Sequence, residues 1–376
     1  MFFSFDYAAE GPWEPSAVIT LIQEYGPNYA YFNHTIGTTS KMFVSTFEGP
    51  QNANDWVGIK QAVDIFFIPD WSSIGPSAAE ATGVVDGLFS WNAWPVGAMD
   101  ITTAIDEQYI TALNGQPYMM PVSPWFFTNL PGYQKNWLWR GDDLWYDRWQ
   151  QVIEISPKFV EIITWNDYGE SHYIGPLRTD DFGLFTAGDA PFNYAAGMPH
   201  NGWRAFLPYV IDMYKTGTAP AITAEQVVSW YRLNPNQACA TGGTTGNTAS
   251  QNQAEVPPYT LDLDAVYFSA LLDSAANFDV TIGTTTQTGT WRNTPVGGSG
   301  IYHGSAPFNG DVGRVTVTIW RMINGQKTTV VEITGPSITK DCTDGIENWN
   351  AWAGMSNTTI VSGAPVSSTT TTSSTT

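Results

Sequence analysis

Two acidic residues, Asp167 and Glu170, lie three positions apart and have the types and spacing that glycosidic bond cleavage requires. Such hydrolysis usually uses two carboxyl groups that flank the bond, one protonated and one ionised. A fully extended backbone would separate the two residues by about 10 Å, and a turn at Gly169 would shorten this. That range fits the roughly 6.5–9.5 Å of inverting enzymes better than the roughly 5 Å of retaining ones. The alternative is a loop whose acids cap the following helix or bind solvent.

The residues around this pair favour the catalytic interpretation over the capping one. Trp165 and Asn166 precede the two acids, and His172 and Tyr173 follow them. Aromatic rings cover the apolar faces of sugars, and the amide and imidazole groups hydrogen-bond to hydroxyls. We therefore expect these four residues to bind a carbohydrate substrate.

The elements that must position the pair are short apolar strands alternating with amphipathic stretches over the first 215 or so residues. The predicted strands are Phe2–Phe5, Phe43–Phe47, Ile65–Ile68, Gly87–Trp91, Tyr118–Val122 and Val160–Trp165. The predicted helices are Pro15–Tyr25, Asp55–Val63, Ser77–Ala81, Thr103–Asn114 and Asp142–Ile155. Alternation of this kind predicts an α/β fold with a parallel sheet. Uniformly apolar strands indicate that both faces of the sheet are buried.

Polar and aromatic residues collect at or just beyond the carboxyl ends of these strands. They are Asp6, Tyr7, Glu48, Asp70, Trp71, Trp91, Asn92, Trp94, Trp125, Asn166 and Asp167. In a (β/α)8 barrel that end carries the active site, so we expect these side chains to share one mouth. Each acid has a structural alternative as a partner of an arginine or a backbone amide. Each tryptophan has an alternative place in the core.

A (β/α)8 barrel needs eight strands, and the sequence shows six, the first of which begins at residue 2. We therefore expect a TIM-type barrel that lacks its first two βα units. From about residue 220 onward the sequence pattern changes to short runs in which apolar and polar residues alternate. These runs, together with the strong hairpin signal Asn324-Gly325, predict an all-β sandwich. The predicted division is 1–220 for the catalytic barrel, 221–360 for the sandwich and 361–376 for a disordered Ser/Thr-rich linker or tail.

Cysteine content and charge restrict the environment and the partners. Cys239 and Cys342 are expected to form one disulfide in an oxidising compartment, and the sequons at Asn33 and Asn357 fit glycosylation and a secreted or cell-wall location. No signal peptide is visible in the sequence. The formal charge of −20 disfavours nucleic acid and anionic membranes but not a neutral polysaccharide. A monomer is expected.

Metal and cofactor chemistry fits this sequence poorly. Phosphate-loop, dinucleotide, zinc-protease and nucleophile-elbow motifs are all missing from it. The four histidines are few for a His-rich metal site, so neither a metal nor a cofactor is expected. Of these, His34 and His303 are expected in surface loops and His200 at the cap of the last barrel helix. No run of 18 apolar residues predicts a membrane span.

Three segments together resemble glycoside hydrolase family 71, the fungal α-1,3-glucanases or mutanases. They are Phe3–Tyr7, Ser45–Gly49 and Thr164–Pro176, of which the last is the most specific. The resemblance covers residues 2 to about 355. It implies a (β/α)8 barrel followed by a β-sandwich, and hydrolysis of α-1,3-glucan with inversion. Family members carry two strands and their helices ahead of the segment that matches Phe2–Tyr7.

The resemblance also implies that Asp167 and Glu170 carry catalysis and that Asp6 is essential or supporting. We assign Asp167 as base and Glu170 as acid, which requires a raised pKa at Glu170. The expected activity is an inverting endo-hydrolysis of α-1,3-glucan. The alternatives are hydrolysis of another polysaccharide on the same barrel, or a non-enzymatic glucan-binding or wall protein derived from a truncated hydrolase.

Overall fold

The structure, a computed structural model, describes residues 1–361, and the predicted Ser/Thr-rich tail from residue 362 onward lies outside them. The chain has a mixed α/β architecture, which confirms the predicted class. Its strands are β1 (Phe3–Asp6), β2 (Asn33–Ile36), β3 (Thr39–Phe47), β4 (Ile65–Phe67), β5 (Leu88–Phe89), β6 (Tyr118–Val122), β7 (Phe127–Leu130), β8 (Lys135–Leu138), β9 (Phe159–Ile162), β10 (Ala224–Arg232), β11 (Thr245–Gly246), β12 (Ala265–Leu272), β13 (Asn277–Ile282), β14 (Thr285–Thr288), β15 (Gly300–Pro307), β16 (Gly313–Ile323), β17 (Gln326–Ile338), β18 (Ala351–Met355) and β19 (Thr359–Ile360).

The α-helices confirm the five sequence predictions to within two residues at each end. They are α1 (Pro15–Tyr25), α2 (Asp55–Ala62), α3 (Pro76–Glu80), α4 (Ala104–Leu113), α5 (Leu144–Ile155), α6 (Gly183–Ala187) and α7 (Leu207–Thr216). The last two were not predicted. None of the helices within residues 1–361 combines the length and the apolar character that crossing a membrane requires.

The chain divides into two compact units that do not follow the sequence linearly. Among the described residues, the first unit contains 1–95, 100–123 and 148–163, and the second contains 96–99, 124–147 and 164–361. The predicted domain boundary at residue 220 separates the α/β part of the chain from the all-β part, whereas the two compact units are interleaved along the sequence. The predicted boundary stays a prediction.

The first unit contains the six parallel strands that the sequence predicts. Strand β1 pairs with β3 and β3 with β4, while β5 pairs with β6 and β6 with β9, all in parallel. Parallel bridges from Phe47 to Asp70 and from Asp70 to Phe89 connect the two groups. The strand order is therefore β1-β3-β4-β5-β6-β9. Asp70, at the connection, lies where β4 ends and is fully buried.

Aromatic side chains pack against both faces of this sheet. On one face the rings of Phe43, Phe66 and Phe159, from three different strands, lie 5.1–6.1 Å apart. On the other face Trp56 of α2 stacks on Phe67, with ring centroids 3.8 Å apart. Burial on both sides explains why these strands are apolar throughout instead of alternating.

The second unit contains a five-stranded and a four-stranded antiparallel sheet, both built from the second half of the chain; in the five-stranded sheet β19 also pairs with β10. One has the order β15-β12-β10-β18 and the other β14-β13-β16-β17. A single apolar cluster contains residues of both sheets, among them Val227, Phe268, Phe278 and Val317. The rings of Phe268 and Phe278 are 4.8 Å apart. The two sheets are thus held together by a shared core.

Local turn chemistry fixes the longest hairpin of this unit. Asn324 and Gly325 connect β16 to β17, and both have positive φ values, 52° and 78°. Two successive positive φ angles define the type I′ turn, whose twist matches that of paired strands. The predicted hairpin is confirmed. So is the predicted disulfide, which joins Cys239 to Cys342 across 103 positions.

Several buried acids of the fold have raised pKa values. Burial is the main cause at Asp70, whose pKa rises to about 8, and at Glu161, whose pKa rises to about 7. In the second unit burial raises the pKa of Asp262 to about 6 and that of Glu347 to about 7. A buried carboxyl is easier to keep neutral than ionised, because removing a charge from water is costly.

We predict that the free energy of unfolding falls between pH 5 and pH 8. These acids are neutral in the folded chain and ionised in the unfolded chain, so raising the pH favours unfolding until each folded pKa is passed. Each group lowers the free energy of unfolding by about 1.4 kcal/mol per pH unit between its unfolded and its folded pKa. Urea unfolding across this range tests the prediction, with Asp262→Asn as a variant that removes one contribution. A free energy that rises or stays constant up to pH 8 would contradict it.

Candidate active site

The segment Thr164–Pro176, which follows β9, folds into a loop closed by its own backbone. The amide of Thr164 donates to the carbonyl of His172, and the amide of Ile174 donates to the carbonyl of Thr164, both over 2.9 Å. The amide of Gly175 donates to Trp165, whose carbonyl lies 2.3 Å from where a Cβ on residue 175 would stand. Gly175 is therefore required for this closure. The closed loop fixes the positions of the residues between its ends.

Asp167 is the acid at the turn of this loop. Its amide donates to the hydroxyl oxygen of Thr164 over 3.1 Å, and its Oδ1 accepts a hydrogen bond from the amide of Glu170 over 3.0 Å. The side chain thus caps the turn of the loop itself, whereas the structural alternative predicts a cap on the following helix or a contact with solvent. This contact uses Oδ1, and it places the carboxyl of Asp167 beside that of Glu170.

Glu170 is held by two cationic or polar partners. Its Oε1 lies 2.8 Å from the ammonium nitrogen of Lys135, and its Oε2 lies 2.8 Å from Nε2 of His172. The Glu170 side chain is 16% exposed. Lys135 comes from the first residue of β8, in the hairpin of β7 and β8, 35 positions earlier in the chain. Two charge-assisted contacts on one carboxylate fix both its position and its charge.

His172 is fully buried and completes a short chain of hydrogen bonds. Its Nδ1 lies 3.0 Å from the hydroxyl oxygen of Thr164, which already accepts the amide hydrogen of Asp167. The hydroxyl proton of Thr164 is then available to Nδ1, so we assign the ring proton to Nε2, where it is donated to Glu170. The chain of bonds therefore links the backbone of one acid to the carboxylate of the other.

The two acids have opposite pKa shifts. Burial and then the negative charge of Glu170 raise the pKa of Asp167. Burial would also raise the pKa of Glu170, but the hydrogen bonds and charges of His172 and Lys135 outweigh it and lower the value to about 2. The expected raised pKa at Glu170 is therefore wrong. The loop therefore separates the pKa values of its two carboxyls, with the higher one at Asp167 and the lower one at Glu170.

The same three side chains are spaced closely enough to hold a metal ion. Ligand atoms of Asp167, Glu170 and His172 lie within 4.8 Å of one another. A cation in this place would compete with Lys135 and with Nε2 of His172 for the two oxygens of Glu170. The donor set is better matched to proton chemistry than to a metal.

Trp165 and Asn166 are the predicted sugar ligands that the loop exposes. The indole of Trp165 is 58% exposed, and the guanidinium of Arg204 lies 5.6 Å from its ring centroid. Trp125 and Tyr173, in contrast, are 1% and 0% exposed. Trp125 donates its ring N–H to Trp349 and Tyr173 stacks on His200, so both rings are committed to packing. The burial of Trp125 and Tyr173 contradicts the prediction that their rings contact sugar. The burial of His172 likewise contradicts direct contact between this residue and the substrate.

In the first unit the predicted acids make local contacts. Asp6 is exposed, and its Oδ1 accepts hydrogen bonds from the amides of Ala8 and Ala9 over 2.7 and 3.0 Å. Glu48 accepts hydrogen bonds from the backbone and hydroxyl of Ser73. Asp70 accepts hydrogen bonds from Ser72. Glu48 and Asp70 therefore anchor one turn after β4, as the structural alternative predicts for such acids.

The aromatic residues of the first unit divide into buried and partly exposed ones. Trp71, Trp94 and Tyr7 are buried, with exposures of 1%, 5% and 6%, so they belong to the core and are not surfaces for sugar stacking. Trp91 and Asn92 are half-buried, and Trp91 contacts the ring of Phe47 at 4.7 Å. Of this group only Trp91 and Asn92 present surface to a ligand in the described chain.

Two histidine predictions are wrong for the same reason. His303 is fully buried, between Asp143 at 2.7 Å and the hydroxyl of Ser269 at 2.9 Å. This Asp-His-Ser arrangement has the contacts of a nucleophilic triad, but Ser269 is only 4% exposed and packs within the sheet. His200 is also buried; it precedes the short 3-10 helix Asn201–Arg204 at the N-cap position, but its ring bonds to the carbonyls of Tyr173 and Ala351 and makes no capping hydrogen bond.

We predict that Lys135→Met raises the pKa of Glu170 by about one unit or more, because it removes a positive charge and a hydrogen bond. Carbon-detected NMR titration of the side-chain carboxyls measures this shift directly. Lys215→Met, which removes an exposed cation from α7, is the matched control. An unchanged Glu170 titration in Lys135→Met would show that the ion pair does not set the charge.

Comparison with known proteins places this geometry in context. Residues 1–365 match the model of glycosyl hydrolase family 71. A glucan endo-1,3-alpha-glucosidase of Schizosaccharomyces pombe is 33% identical over 345 residues, which are 88% of this chain and 73% of that protein. A mutanase of Penicillium rubens is 33% identical over 75% of this chain and 60% of its own length. An ascus wall endo-1,3-alpha-glucanase of Schizosaccharomyces pombe is 28% identical over 68% of this chain and 62% of its own length.

This chain therefore spans less than two thirds of the last two relatives. The family match nevertheless includes every residue of the Thr164–Pro176 loop and both of its acids. With the match covering nearly the whole sequence, this chain belongs to glycosyl hydrolase family 71.

Proposed function

We propose that this protein is a glycoside hydrolase that cleaves α-1,3-glucosidic bonds within α-1,3-glucan. The observation that carries the proposal is the Asp167–Glu170 pair, whose carboxyl groups lie side by side and have pKa values shifted in opposite directions. The three relatives, named for action on α-1,3-glucan or as a mutanase, support this substrate. The charge of −20 presents no barrier to a neutral polymer.

The pKa shifts support a division of roles opposite to the sequence-based one. Asp167, with the raised pKa, protonates the glycosidic oxygen as its bond to the anomeric carbon breaks. Glu170, which is ionised, accepts a proton from the water whose oxygen forms the new bond to that carbon. Each oxygen of Glu170 has one bonded partner and a remaining lone pair for water. Proton exchange with solvent then restores both acids.

The spacing of the two acids adds a geometric requirement. Their nearest carboxylate oxygens lie within 4.8 Å, whereas inverting enzymes separate the two carboxyl groups by about 6.5–9.5 Å. We infer that the Asp167 side chain releases the amide of Glu170 when substrate enters, which opens space for the attacking water. Inversion at the anomeric carbon, which the family resemblance implies, requires this movement.

The architecture supports two finer assignments. The six consecutive parallel strands with helices between them are consistent with a (β/α)8-type barrel, and the two sheets with a shared core are consistent with a β-sandwich. The two βα units expected ahead of residue 2 stay a prediction.

The disulfide and the ascus wall relative support a secreted or cell-wall location. The expected monomeric state and the exclusion of nucleic acid and membranes also stay predictions.

We predict that Asp167→Asn and Glu170→Gln each lower the release of reducing ends from α-1,3-glucan by about 10²–10⁴-fold, because each removes one proton-transfer group. Asp212→Asn, an exposed acid on α7, is the control that changes charge equally. Assays on β-1,3- and α-1,4-glucan in parallel identify the substrate. Full activity in either variant would refute the assigned pair, and cleavage of another glucan alone would refute the substrate.

Inversion predicts that the first product carries the β-anomeric configuration at its new reducing end. Proton NMR in the first minutes of the reaction, before mutarotation, distinguishes the two anomers. An initial α-anomer would show a retaining mechanism, in agreement with the short oxygen spacing of the unliganded loop.

A further inference from the structure

A cavity of about 520 Å³ lies in the second unit, in the segment that contains α6 and the turn after it. We call it the Phe182 cavity, and its lining residues are Phe182, Phe185, Thr186, Asp189, Ala190, Phe192 and Asn193. Its volume falls within the roughly 300–1,000 Å³ that small-ligand sites occupy. Neither the predicted site residues nor the proposed catalytic roles include any of these side chains.

The lining combines ring faces with unused polar groups. Phe185 is buried, while Phe182 and Phe192 are half-buried and present part of their rings. The Oδ1 atom of Asn193 accepts the amides of Ala195 and Ala196, which leaves its amide hydrogens available as donors. Within residues 1–361 the side chains of Asp189 and Thr186 are exposed, with no hydrogen bond or ion pair recorded for them. Apolar rings with a few donors and acceptors are what a sugar ring requires.

The charge of the lining residues and of the whole chain indicates which class of ligand the Phe182 cavity would bind. Asp189 is the one charged residue among the seven that line the cavity, and the chain as a whole is strongly acidic. An anionic ligand would meet repulsion, and a neutral one would not. Asp189 accepts hydrogen bonds from hydroxyl groups, and Asn193 donates to their oxygens. These properties match a neutral, hydroxyl-rich chain.

We propose that the Phe182 cavity is a glucan-binding subsite that holds sugar units beyond those at the cleaved bond. This proposal rests on the proposed function, because it assigns to the cavity another part of the same polymer. An endo-acting hydrolase gains from such a subsite because binding energy from remote units helps to position the reacting bond.

Direct contacts connect the cavity to the catalytic loop. The ring of Phe182 lies 5.3 Å from that of Tyr168, in an edge-to-face arrangement. Tyr194, which follows the lining residue Asn193, donates its hydroxyl hydrogen to the carbonyl of Gly169 over 2.6 Å. Tyr168 and Gly169 lie between the two catalytic acids in the sequence. The cavity and the acids therefore share one packed frame.

The hairpin of β7 and β8 borders the same region. The amide of Gly132, at the tip of this hairpin, donates to the carbonyl of Gly188 over 2.9 Å. The neighbouring Tyr133 is 52% exposed and extends the aromatic surface beside Gly188. The same hairpin carries Lys135, which holds Glu170. A glucan bound in the cavity thus contacts elements that also position the ionised acid.

The test uses two substitutions in the cavity and one control, all made on an Asp167→Asn background that prevents cleavage. Asp189→Asn removes the charge but keeps a residue type that tolerates the left-handed backbone of this position, where φ is 54°. Phe192→Ala removes a ring, with its fold checked by circular dichroism. Asp180→Asn changes the same charge outside the cavity. Calorimetry measures the binding of α-1,3-linked glucose hexasaccharide and disaccharide.

We expect each cavity variant to weaken hexasaccharide binding by about tenfold, since lost stacking or hydrogen bonds of this kind are worth that ratio. Disaccharide binding and the Asp180→Asn control stay unchanged. In active enzyme the same variants raise KM for long substrates and leave kcat within about twofold.

Equal hexasaccharide affinity in Asp189→Asn, Phe192→Ala and the control would overturn the subsite, even if the wild-type chain cleaves α-1,3-glucan. Equal weakening in all three variants would also overturn it, because the effect would then not depend on the cavity. Cavity-dependent binding in a chain that cleaves no glucan would instead refute the proposed function alone. The two proposals therefore fail by different observations.

Discussion

The charge on Glu170 is the constraint on which the candidate site depends. A buried carboxyl prefers to be neutral, and only the contacts with Lys135 and His172 reverse this preference. Once Glu170 is ionised, its charge adds to burial in raising the pKa of Asp167, so the contacts of Glu170 affect the pKa of both acids. The fold supplies Lys135 from a separate hairpin and His172 from the loop itself. Loss of either partner would therefore alter two acids at once.

Sequence patterns predicted the parts of the fold that depend on local chemistry. The six parallel strands were recognisable because burial on both faces requires continuous apolar runs, and the turn at Asn324-Gly325 because its positive φ angles favour those residue types. The hairpin of β7 and β8 was missed. Its strands are four residues each, too short for a clear pattern, although Pro131-Gly132 is a recognisable turn signal.

The candidate site was predictable only where it is local. Asp167, Glu170 and His172 lie within six positions, and one loop brings them together as expected. Lys135 was missed because its contact with Glu170 spans 35 positions, and no local spacing reports such a contact. The direction of the pKa shift at Glu170 was wrong for the same reason. Likewise, residue type alone does not separate a core ring such as Trp125 from an exposed one such as Trp165.

The disulfide between Cys239 and Cys342 has a consequence for resistance to proteolysis. It encloses β11 to β17, while β10 lies before the first cysteine and β18 after the second, paired with each other. A protease that cuts one peptide bond anywhere inside the enclosed stretch releases no fragment, because both new ends stay attached through the bridge. The β-rich half can therefore keep its paired strands after a single cut, for as long as the surroundings remain oxidising.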